Sequence, residues 1–74
     1  MTLLPTRLET LRGIADGTVT LKYVNDHKKY KYEPCQHAIN GSFLEKAQLV
    51  EADPVFRVVE LTERGKVQLA LAES

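Results

Sequence analysis

A chain of 74 residues, 43% hydrophobic and 27% charged, has the composition of an ordinary globular protein and the length of one domain, 1–74, which excludes a disordered chain. Ten Lys and Arg balance ten Asp and Glu, so the formal charge is zero and strong nonspecific affinity for DNA requires the charges to be segregated. The single cysteine, Cys35, excludes an intrachain disulfide and a cysteine-cluster zinc site, and no apolar run approaches the ~18 residues of a membrane span.

A reducing, cytoplasmic setting is the expectation, since the N-terminus has no cationic start or long apolar core of a signal peptide. A domain this small buries only a little over ~60% of the surface its unfolded chain exposes, so a homodimer is a natural remedy.

In chain order, Leu4, Leu8, Leu11, Ile14 and Ala15 predict an amphipathic first helix with Pro5 in its first turn and Gly17 at its end. Arg7, Glu9, Thr10 and Arg12 fall on its other faces. Gly13 weakens that helix by up to ~1 kcal/mol relative to alanine unless something packs close there. From Thr18 to Val24 the residues alternate, Val19, Leu21 and Tyr23 against Thr20, Lys22 and Val24, and Tyr30 and Tyr32 resume the alternation beyond Asn25-Asp26-His27-Lys28-Lys29. That pattern predicts a β-hairpin closed by Pro34.

From Cys35 to Ser42 the signals conflict. The apolar positions fit a helix, whereas Asn40-Gly41 is a turn signal, so the helix starts either before that pair or at Ser42. Ile39, Phe43, Leu44 and Ala47 make its apolar stripe, ending near Gln48. Asp53-Pro54 breaks the next segment, giving two strands, and Thr62 with Glu63 opens a closing helix through Lys66, Leu69 and Ala70. Val67 and Leu71 on that helix are candidate positions for meeting another subunit.

Two strings carry a resemblance: Leu44-Glu45-Lys46-Ala47-Gln48-Leu49-Val50-Glu51 and, more specifically, Val59-Glu60-Leu61-Thr62-Glu63-Arg64-Gly65. Together with Leu3-Leu4-Pro5 through Ile14-Ala15-Asp16-Gly17, they make the chain resemble the small winged helix-turn-helix proteins encoded by actinobacterial phages and other mobile elements. The resemblance implies an α+β fold, a reduced winged helix in the order helix, β-hairpin, helix, two-stranded wing, C-terminal helix. It departs from the family at Gln48, where a glycine usually follows the recognition helix, and at Thr18–Glu33, where a hairpin stands in place of a helix.

The functional expectation from that resemblance is a transcriptional regulator that binds double-stranded DNA. Lys22, Lys28, Lys29 and Lys31 would meet phosphates, Gln36, His37, Asn40 and Lys46 would face the bases from the helix after Pro34, and Arg57 would touch DNA from the wing. Gln36 and Asn40 have the chemistry to pair bidentately with adenine. The plainer reading of the hairpin is that its tyrosine face is buried and its lysine face solvated. Four acids between Glu45 and Thr62 oppose phosphate and favour the alternative, a module that binds a host or phage protein through the same scaffold. His27 and His37 lack the spacing of a metal site or a nucleophile and base pair, so neither an enzyme nor a cofactor or metal is expected. Cys35 reads as a small, partly buried apolar residue and His37 as an exposed polar one.

Overall fold

A computed structural model describes residues 3–24, 29–53, 55–56 and 58–73, with the backbone alone at 23, 24 and 29. The chain folds as an α+β domain in the order α1 (Pro5–Asp16), β1 (Thr20–Val24), β2 (Lys29–Glu33), a 3₁₀ turn (Cys35–His37), α2 (Ala38–Lys46), β3 (Val50–Asp53), β4 (Val58–Leu61) and α3 (Glu63–Glu73). The strands form two separate antiparallel hairpins, β1–β2 and β3–β4. No helix among the described residues is long and apolar enough to cross a membrane.

The first helix starts with Pro5 in its first turn, where the missing N–H costs nothing, and ends at Gly17 in the left-handed region. Its buried arc is Thr10, Leu11, Gly13 and Ile14, whereas Leu4 and Ala15, predicted to share the apolar stripe, are exposed. The arc is rotated because Thr10, polar by type, has hydrogen-bond partners inside the fold. Gly13 is where β1 approaches: a Cβ there would lie 2.4 Å from a Val19 methyl carbon.

The first hairpin follows the predicted alternation. Val19, Leu21 and Tyr32 are buried and Tyr30 is half-buried, while Thr20, Lys22, Lys31 and Glu33 are exposed. Leu21 stands opposite Tyr32 and Lys22 opposite Lys31.

The helix after Pro34 takes the earlier of its two possible starts, and Asn40-Gly41 is helical. Of the predicted stripe, Leu44 is buried and Phe43 and Ala47 pack against the core, but Ile39 misses it. His37, Gly41 and Leu44 face inward at helical spacing, whereas Ile39, roughly on the opposite side of the helix, is 83% exposed. Counting apolar residues could not find this phase, because the inward face uses a glycine for close approach and a histidine for a hydrogen bond. The helix ends at Lys46, and Gln48, two residues on, takes φ 62° without being glycine.

The β-branched run from Val55 to Leu61 predicts a longer return strand than the one present, which begins at Val58. At its tip the Asp53 carboxylate accepts the backbone N–H groups of Val55 (3.0 Å) and Phe56 (3.4 Å), a local turn that holds the chain reversal. The Leu49 carbonyl accepts the Thr62 N–H at 3.0 Å. The Thr62 hydroxyl donates to the Gln48 carbonyl at 2.6 Å and accepts the Gly65 N–H at 3.1 Å, capping α3 as predicted. Gly65 is indispensable to this seat, since a Cβ there would lie 1.9 Å from the Leu49 carbonyl oxygen. The buried core is Leu11, Ile14, Val19, Leu21, Tyr32, Leu44, Leu49 and Val50.

Candidate functional site

The predicted base-reading helix is α2, and its outward surface is not the one the sequence implied. His37 is buried, with Nδ1 2.7 Å from the hydroxyl of fully buried Thr10. That hydroxyl has one proton; given to the Thr6 carbonyl 3.2 Å away, it leaves the oxygen free to accept from His37 Nδ1–H. Asn40, half-buried, donates from its side-chain amide to the same Thr6 carbonyl at 3.4 Å. Two of the expected base readers are therefore spent on joining α2 to α1. Gln36 and Lys46 remain exposed.

One apolar residue of α2 misses the core and lies outward: Ile39 projects into solvent. Phe43, one turn on, packs at the edge of the core and is half-buried beneath the Arg7 guanidinium, 3.7 Å from the ring centroid. A cation over an aromatic face anchors both side chains and keeps Arg7 near this surface. Cys35, at the start of the preceding turn, is exposed rather than partly buried.

On the first hairpin, Tyr30 and Tyr32 are occupied by the fold. Tyr32 donates its phenol to Glu45 Oε2 at 2.7 Å, and Tyr30 donates to Glu45 Oε1, so one carboxylate on α2 grips both rings. The rings meet edge to face, 6.4 Å between centroids. The hydrogen bond to Glu45 pushes the Tyr30 phenol up to about 12; burial, followed by the same carboxylate, pushes Tyr32 up further. Gly41 admits the Tyr32 ring, which would lie 2.5 Å from any Cβ at that position. Tyr30 and Tyr32 thus dock the hairpin on α2 and are not free to stack on bases.

The lysine face survives as a surface. Lys22 and Lys31 are exposed and directly opposite each other, with Glu33 Oε1 3.6 Å from Lys22 Nζ. Lys28 and Arg57 lie outside the described residues, as does the Lys29 side chain. The second hairpin carries the opposite sign: Glu51 and Glu60 stand directly opposite each other, both exposed, and neither has an ion-pair partner among the described residues. With Asp53, Val58 and the 75% exposed Phe56 they line a concavity of about 370 Å³.

Sequence reasoning missed three of these features. The Tyr–Glu45 clamp had a signal in two tyrosines at strand spacing and an acid in the following helix, but pairing them needs the register. The burial of His37 had none. The exposed Phe56 was legible only as an aromatic near the Asp53-Pro54 turn. No group of three or more His, Cys, Asp or Glu among the described residues is placed to hold a metal ion. Comparison of the chain with protein-family models, with curated proteins and with solved structures returns no match.

Proposed function

We propose that this chain is a winged-helix-like scaffold turned to protein binding, with a host or phage protein docking on the outer side of α2. The observation that carries the reading is Ile39, 83% exposed beside Phe43 and Arg7 on the helix that would otherwise read bases. An exposed branched aliphatic residue next to an aromatic and an arginine has the chemistry of a protein-binding anchor. His37 and Asn40, two of the four groups that would have contacted bases, are committed to Thr10 and Thr6. The acidic second hairpin repels a phosphate backbone approaching from the wing side. A cytoplasmic setting belongs to the same reading, with exposed Cys35 kept reduced.

The second reading, duplex DNA binding, is favoured by one observation: Lys22 and Lys31 side by side on an open hairpin face. Two experiments separate the readings. Mixed-sequence duplex DNA is offered to the purified protein across a salt series; the protein-binding reading expects no retention even at low salt. Salt-sensitive retention that disappears in Lys22→Glu/Lys31→Glu would replace it with the DNA reading. Affinity capture is then run in parallel with wild type and Ile39→Asp, both shown to be folded. A partner held by wild type and released by the variant places the site on α2, and equal capture by both removes it from there.

A further inference from the structure

The two hairpins carry complementary devices on their outer faces. On the first, Lys22 and Lys31 form a cross-strand pair of like charge; on the second, Glu51 and Glu60 form another. Directly opposite residues on antiparallel strands have the same close spacing in both hairpins, roughly 5 Å between Cβ atoms. Two lysines on one face and two glutamates on another can therefore be matched in a single encounter, both ion pairs forming together. Each pair is unfavourable where it stands, since like charges directly opposite repel. Only Lys22 has a counter-charge among the described residues, the exposed Glu33 at 3.6 Å, a contact of the weak surface kind that is readily exchanged.

Shape runs in the same direction as charge. Beside the acids, Phe56 projects from the tip of the second hairpin. Beside Lys31, an open depression of about 500 Å³ lies between Thr18, Thr20, Glu33, Pro34 and Cys35, wide enough for an aromatic ring, its one acid, Glu33, being the one that reaches toward Lys22. A projecting aromatic next to two acids and a depression next to a lysine are complementary in shape and charge.

We infer that the second hairpin of one copy docks on the first hairpin of another, Glu51 and Glu60 against Lys22 and Lys31, with Phe56 seated in the hollow beside Lys31. The chain carries no net charge, so copies do not repel one another overall, and each molecule is a donor and an acceptor of the same interface. Because the two patches differ, the contact closes into a pair when made reciprocally and extends into a chain of copies otherwise. This interface shares no residue with the outer side of α2 on which the proposed partner binding rests, so each stands or falls alone.

The test is sedimentation velocity of the full chain over a range of concentration at low and high salt. Wild type sediments above its 8.3 kDa monomer mass at low salt and returns toward it as salt screens the pairs. Lys22→Glu/Lys31→Glu and Glu51→Lys/Glu60→Lys, each checked for a wild-type thermal transition, both stay monomeric. Mixed in equal amounts, the two variants associate with each other, because the Glu51 and Glu60 kept by one then meet the Lys22 and Lys31 kept by the other. Phe56→Ser weakens association at least tenfold while leaving its salt dependence in place. Ile39→Asp leaves it unchanged. Wild type that is monomeric at every salt concentration, reversal variants that associate like wild type, or a mixture that fails to associate would each overturn the inference. Glu51→Lys/Glu60→Lys also separates it from DNA binding, which that variant would strengthen rather than lose.

Discussion

The two hairpins have the same topology and opposite ways of being held. The first is fastened by side chains: two phenols from β2 on one carboxylate of α2, with an aromatic ring pressed on Gly41. The second is fastened by backbone: the Leu49 carbonyl takes the Thr62 N–H, and α3 comes so close to it that only a glycine fits at position 65. Side-chain fastening depends on protonation and tolerates small changes of shape. Backbone fastening ignores pH and tolerates almost none.

The largest expected effect breaks the second fastening. Gly65→Ala puts a methyl group where the Leu49 carbonyl oxygen already lies, and neither group is the flexible end of a side chain, so α3 must move. The cost is about 3 kcal/mol, at the upper end for forced overpacking. Chemical denaturation read by circular dichroism checks it, and a variant as stable as wild type would show that α3 is not seated this way.

That contact also marks how far the sequence could be read. Leu61-Thr62-Glu63-Arg64-Gly65 announced a capped helix, and both the cap and the helix are present. The alternation in Thr18–Tyr32 announced a hairpin with its tyrosines inward, which holds for Tyr30 and Tyr32. Both signals are local, the first a capping preference and the second a period of two. The phase of α2 was not legible. Ile39 looks like core to any hydropathy scale, but inward positions went to His37 and Gly41 because Thr10 and the Tyr32 ring sit opposite them. Those partners are 27 and 9 residues away. The candidate site inherited this error: His37 and Asn40 read as surface polar groups only as long as α1 is left out of view.

The next effect breaks the first fastening. Tyr32→Phe keeps the ring against Gly41 and removes the bond to Glu45, which costs about 2 kcal/mol for a hydrogen bond to a charged group. It also changes the response to alkali. Both phenols are held protonated above their ordinary value of about 10, Tyr30 up to about 12 and Tyr32 beyond. The unfolded chain therefore releases these protons first. Their contribution to stability is complete below pH 10 and is lost as pH climbs from about 10 toward 12 and above. Melting curves between pH 8 and pH 11.5 should show wild type losing stability above pH 10 and Tyr32→Phe losing distinctly less. Equal slopes would mean that Tyr32 is not held protonated by this site.

The smallest effect compares the like-charged pairs on the two outer faces. Lys22 and Lys31 repel, but Glu33 stands beside Lys22 and offsets part of the cost, so Lys22→Gln should leave stability nearly where it is. Glu51 and Glu60 have no such neighbour among the described residues, so Glu60→Gln should stabilise the isolated domain by about 0.3 kcal/mol, less at high salt. A domain of 74 residues has little stability to spare, and an easily removed repulsion on an exposed strand is therefore informative. If Glu60→Gln stabilises the monomer yet weakens self-association in the same buffer, the repulsion is the cost of a surface kept ready for lysines. If it stabilises the monomer and leaves association untouched, the glutamate pair belongs to the monomer alone and the docking of the second hairpin on the first through these charges is overturned.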